Sequence, residues 1–130
     1  MSDKLDRIFE LQRVLMRRLD VPQAEQPGDR TPETLRHWHK ELGTAIMIEA
    51  AELFDWAPWK HWSTRSGNKQ VEQDQLYGPE HLHEIKMEIV DVLHFTLELA
   101  IVLGMTASDV YELYLEKNKI NHERKKDEAY

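Results

Sequence analysis

Residues 46–56, IMIEAAELFDW, together with residues 87–95, MEIVDVLHF, decide the fold. In the first stretch Ile46, Leu53 and Trp56 continue a helical stripe begun by Leu35, Trp38 and Leu42. Met47, Ile48, Ala50, Ala51 and Phe54 make its later half apolar nearly all round, the pattern of a helix buried in a bundle. Glu49 falls inside that stripe, where a helix that needed only a core would carry leucine. Glu52 follows three residues on, at the edge of the stripe. Residues three apart on a helix are surface neighbours, about 5–6 Å between Cβ atoms, so both carboxylates can converge on one ion.

The second stretch repeats the device. Glu88 and Asp91 are three apart beside an apolar face. Four carboxylates brought together are opposed by desolvation and by mutual repulsion. Either they are protonated or a cation lies among them. Oxygen ligands in a chain without cysteine favour magnesium, with manganese as the alternative, over zinc. A single Glu-x-x-Glu is ordinarily a solvated face. Two such pairs in apolar surroundings favour a metal site over an acidic groove with no catalytic role.

Working outward, residues 3–20 read as a first helix, with Leu5, Ile8, Leu15 and Leu19 at helical spacing and Val21-Pro22 ending the run. Residues 23–30 form a loop, and Thr31 before Pro32 caps a second helix over about residues 33–56. Pro58 breaks that helix, and the polar, aperiodic connection that follows contains an expected flexible loop over residues 63–78. Gly78-Pro79 opens a third helix over about residues 80–103, whose shared face is Ile85, Ile89, Val92, Leu93, Thr96, Leu99 and Leu103. Gly104 stops it. Thr106 and Asp109 have the form of a capping box for a fourth helix, which carries Val110, Leu113, Tyr114 and Ile120 to about Arg124. Residues 125–130 form a charged tail expected to fray. Nothing reads as a strand or an internal repeat. The fold class is therefore all-α, a bundle of four main helices in one domain over residues 1–130.

Composition agrees. The chain has 130 residues, five glycines, five prolines and no cysteine, so neither disulfides nor thiolate metal sites arise. The charged, amphipathic N-terminal segment lacks an apolar signal core, and residues 89–103 carry Asp91, His94 and Glu98. A soluble, cytoplasmic protein is expected, with no membrane partner. A net charge of −7, from 24 acidic and 17 basic residues, argues against nucleic acid as a partner. It leaves room for a polyphosphate bridged to carboxylates by divalent cations.

Other residues could join such a site. Lys60, within WKHW, follows the Glu49/Glu52 helix and could reach a triphosphate, or could be a loop lysine between structural tryptophans. Lys117, Asn121 and Arg124 recur at i, i+4 and i+7, suited to phosphate and sugar but equally to a solvated face. The pairs His37/His39 and His81/His83 point to different faces and read as surface or interface residues. His94 could support the site or pack in the core, with packing favoured.

With these residues in view, the chain resembles the dimeric, all-helical dUTP diphosphatases of the MazG-like superfamily. The matching segments are EAAELFDWAPWKHW (49–62), EIVDVLHF (88–95), KNKINHER (117–124) and LQRVL (11–15). The resemblance implies a magnesium-dependent hydrolysis of dUTP to dUMP and pyrophosphate, with Glu49, Glu52, Glu88 and Asp91 around the metal. Glu49, the most enclosed of the four, is the expected general base. The resemblance also implies phosphate and sugar contacts from Lys60, Lys117, Asn118, Asn121 and Arg124, and a base subsite at Gln12, Met16 and Trp62. The family has an asparagine where Met16 stands. A thioether cannot make an amide's hydrogen bonds, so strict uracil selection is loosened and dCTP or other deoxynucleotides become candidate substrates. On this sequence-level view Met16→Asn should sharpen the preference for dUTP. A homodimer is implied, its partner closing part of the site. Two alternatives stand beside this: a broader MazG-like house-cleaning pyrophosphohydrolase, and a non-catalytic helical dimer with an acidic binding groove.

Overall fold

A computed structural model describes residues 3–60, 65–66 and 71–126. Four long helices dominate: α1 (Lys4–Arg18), α2 (Pro32–Asp55), α3 (Pro79–Val102) and α4 (Ala107–Lys126). The all-α class is as expected. One small departure is a two-residue antiparallel ladder, β1 (Arg65–Ser66) against β2 (Val71–Glu72), with Arg65 opposite Glu72. Short 3-10 turns lie at Pro27–Arg30 and Gln73–Gln75.

Helix boundaries follow local chemistry. Asp3 accepts the Asp6 N–H at 2.8 Å while Asp6 accepts the Asp3 N–H, a reciprocal box that starts α1. Thr31 accepts the Thr34 N–H at 3.2 Å ahead of Pro32, as the sequence predicts. At the start of α4, Thr106 accepts the Asp109 N–H at 3.1 Å and Asp109 accepts the Thr106 N–H at 2.8 Å. The end of α3 is a Schellman turn. Gly104 sits at φ 86, its N–H reaching Ile101 O and the Met105 N–H reaching Ala100 O, both at 2.9 Å. α4 runs two residues past its expected end near Arg124, to Lys126.

α2 and α3 make the most extensive pairing, α1 packs on α3, and α4 touches chiefly α1. The core is Phe9 and Met16 from α1, Val21, Leu42 from α2, Leu97, Ile101 and Val102 from α3, and Ala107 from α4. Leu35, Trp38, Phe95, Leu99 and Val110 pack around it. No single helix is long and apolar enough to cross a membrane.

Two faces differ from the sequence expectation. α1 turns inward on Phe9, Gln12 and Met16, leaving Ile8, Leu15 and Leu19 exposed. The helix carries two apolar stripes, and period alone does not say which one meets the core. On α3 the buried apolar residues are Leu97, Ile101 and Val102, whereas Ile89, Leu93 and Leu103 stay exposed. The second half of this helix is largely apolar, and part of that apolar surface stays exposed.

Candidate metal centre

The paired acids meet across the α2–α3 contact. One carboxylate oxygen from each of Glu49, Glu52 and Glu88 lies within 4.8 Å of the others, and all three residues are half-buried. The i, i+3 spacing on α2 supplies two oxygens, and the packing of α3 against α2 supplies the third. Oε2 of Glu49 and Oε2 of Glu88 are shielded from solvent and have no hydrogen-bond donor among the described residues. Shielded carboxylate oxygens without donors are costly unless a cation compensates them. The donor set is hard oxygen and closely spaced, with two of its oxygens lacking donors, so these residues fit a magnesium- or manganese-class ion.

Electrostatics single out Glu49. Loss of solvation, first of all, raises its carboxyl above the ordinary 4.5. The charge of Glu52 and a side-chain hydrogen bond with it add to the rise, followed by the charges of Asp91 and Glu88. Asp91, grouped with the other three from sequence, is exposed and stands outside the close triad. Its field nevertheless reaches Glu49.

The remaining candidates lie as follows. Lys60 is half-buried, its Nζ 4.9 Å from the centroid of the Trp59 ring, and Trp59 stacks on Phe54. Lys117, Asn118 and Arg124 are exposed and Asn121 is half-buried, on a helix packed mainly against α1. Trp62 lies outside the described residues. Gln12 is 5% exposed, and Met16 is wholly buried among core side chains. Met16 therefore reads as a core residue, which the sequence treated as a base-facing one.

The histidines also depart from expectation. His94 is exposed rather than packed in the core. His81, expected at the surface, is buried and ties two elements together. The Tyr77 N–H donates to His81 Nδ1 at 2.7 Å, so Nδ1 carries no proton. Nε2 is then the protonated nitrogen and donates to Trp56 O at 2.8 Å. This strut joins the end of α2 to the start of α3, the two helices that carry the triad. The sequence hid it because both partners are backbone groups. His81→Ala removes both hydrogen bonds and should cost roughly 1–3 kcal/mol. Asn at this position, with Oδ1 near the place of Nδ1, should recover part of the loss. Urea midpoints at constant slope check both. A cleft of about 1050 Å³ beside His81, lined also by Trp56, Glu72 and Glu84, contains none of the triad.

One acid outside the triad is buried. Glu98 on α3 is 7% exposed, and burial raises its carboxyl above 4.5 against an opposing pull from His94. Its signal was present in the sequence, since it follows Asp91 by seven residues and shares that helical face.

Acids of two helices converging within an all-helical bundle fit a nucleoside triphosphate pyrophosphohydrolase, the class that the similar proteins support. A family model for dUTPase matches residues 4–103, and the chain belongs to the dUTPase family. A dCTP pyrophosphatase of Enterobacteria phage LZ5 is 31% identical over 94% of this chain and 80% of its own length. A dCTP pyrophosphatase of Enterobacteria phage T4 is 43% identical over 52% of this chain, and that match spans 40% of the T4 protein. A DNA replication protein of phage T4 is 41% identical over 48% of this chain and 16% of its own length. No solved structure gives a significant match.

Proposed function

We propose that the protein hydrolyses pyrimidine deoxynucleoside triphosphates, dUTP and dCTP, to the monophosphate and pyrophosphate with magnesium. The observation that carries this reading is the triad of Glu49, Glu52 and Glu88, with two shielded oxygens that lack donors. Glu49, Glu52 and Glu88 would hold the cation, with Asp91 one turn beyond Glu88. The cation would neutralise phosphate oxygens and make a neighbouring water more acidic. Glu49, whose carboxyl is raised by loss of solvation, takes the proton from the attacking water, and pyrophosphate leaves as the monophosphate forms. Manganese satisfies the same donor set.

Lys60, Lys117, Asn118, Asn121 and Arg124 are proposed as phosphate and sugar contacts, and Gln12 with Trp62 as base contacts. The dUTPase family supports dUTP, and the dCTP pyrophosphatase relatives support dCTP. A homodimer is part of the proposal. Met47 (73% exposed), Ile48 and Phe54 on α2, with Met87, Ile89, Val90 and Leu93 on α3, offer apolar surface on the two helices that carry the site. A cytoplasmic location suits such a substrate.

The test incubates the protein with each deoxynucleoside triphosphate and magnesium, and measures monophosphate and pyrophosphate. Turnover of dUTP and dCTP well above the purine nucleotides is expected. Equal rates on all four would favour the broad house-cleaning activity. No turnover with either magnesium or manganese would leave only an acidic binding module. Sedimentation of a stable monomer would remove the dimer.

A further inference from the structure

A nucleotide whose phosphates sit at the triad must place its base some way off along the helices. On α3, Glu88, Asp91, Phe95, Glu98 and Val102 fall at intervals of three or four residues and share one stripe. Glu98 lies two turns beyond Asp91, about 10 Å along the axis. That is comparable with the reach from the phosphates of a nucleotide to its base.

Glu98 lies against the hydrophobic core. Its neighbours Leu97, Ile101 and Val102 belong to the same core cluster as Phe9 and Met16, the residues that flank Gln12 on α1. Gln12 and Glu98 are thus two polar side chains set in the α1–α3 contact. Each residue is more than nine-tenths buried, and neither side chain makes a hydrogen bond to a described residue, although their polar atoms are not among the wholly shielded ones. A buried amide and a buried carboxyl without partners await a ligand that supplies them. Burial raises the Glu98 carboxyl, as expected for a group taken from water with no donor to replace it.

We infer that Glu98 is a specificity-determining residue of the pyrimidine subsite, its carboxylate accepting a hydrogen bond from the 4-amino group of cytosine. The assignment rests on the pyrophosphohydrolase reading. The chemistry discriminates at one position of the ring. Cytosine presents N4–H donors there, and a glutamate is the natural acceptor for them. Uracil presents O4, a second acceptor, and a desolvated carboxylate facing it leaves both oxygens unsatisfied. Glu98 therefore tilts the site toward dCTP over dUTP without touching the phosphates or the carboxylate triad.

The test compares KM and kcat for dCTP, dUTP and the deoxynucleoside triphosphate of pyrimidin-2-one, which has neither group at ring position 4. In the unmodified protein KM should rise from dCTP through the pyrimidin-2-one analogue to dUTP. Glu98→Gln retains an acceptor for N4–H and adds a donor for O4. The dCTP-over-dUTP ratio of kcat/KM should then fall by about tenfold or more, carried by KM. The kcat on dCTP should stay within a few fold. A ratio that survives this substitution, or a wild-type KM for dUTP no higher than that for the analogue, overturns the role of Glu98. The analogue series uses the wild-type chain, so a poorly folding variant does not spoil it. Failure of the unmodified protein to turn over any of the three would overturn the pyrophosphohydrolase reading instead.

Discussion

Glu49→Gln is expected to lower turnover about 10²–10⁴-fold, the usual contribution of a positioned general base, while leaving the helices folded. The substitution keeps the shape of the side chain but removes both the proton acceptor and one anionic oxygen of the triad. Its effect on stability should run in the opposite direction to its effect on catalysis. In the metal-free protein the Glu49 carboxyl is held above 4.5 by lost solvation and by Glu52, Asp91 and Glu88. The folded state therefore keeps this proton to higher pH than the unfolded chain does. The contribution is fully present below 4.5 and is lost as pH rises through the folded value. At neutral pH with a chelator, wild type bears the repulsion and Glu49→Gln does not. The variant should accordingly melt no lower than wild type and vary less with pH. Saturating magnesium should reverse the order, since a ligand at about 100 times its Kd adds about 2.7 kcal/mol. Melting curves with and without metal, beside rates on dCTP and dUTP, check both halves. A variant with wild-type rates would remove Glu49 from the base role.

What the sequence made legible was local. Thr31 with Pro32, and Thr106 with Asp109, cap helices through bonds spanning three residues, so their spelling suffices. The Glu49–Glu52 spacing is equally local. That Glu88 joins them follows from the α2–α3 packing, which the apolar stripes of both helices anticipate. The orientation of α1 was not legible, because Phe9 and Met16 compete with Ile8, Leu11, Leu15 and Leu19 for the inward face. His81 was illegible for another reason. One of its partners is a carbonyl 25 residues away, and backbone groups leave no mark in a residue pattern. The exposed position of Asp91 is a matter of helix rotation, a detail finer than periodicity resolves.

Met16→Asn is where sequence and structure give opposite expectations. As a base-facing residue, an asparagine there should sharpen selection for dUTP. As a wholly buried member of the core between α1 and α3, it should damage the fold. The substitution removes a large apolar side chain and leaves a buried amide, whose nearest prospective partner is Gln12 one turn earlier. A single Gln–Asn pair satisfies only part of two amides, so the expected loss is roughly 3–5 kcal/mol. For a domain of this size that is a fall in Tm on the order of 10–20 °C. Met16→Leu conserves volume and should cost less than about 1.5 kcal/mol. Thermal melts of the two variants separate the cases. If Met16→Asn is as stable as wild type and shifts the ratio toward dUTP, the residue contacts base rather than core. The inward burial of α1 predicts the reverse: an unstable asparagine variant and a stable leucine variant.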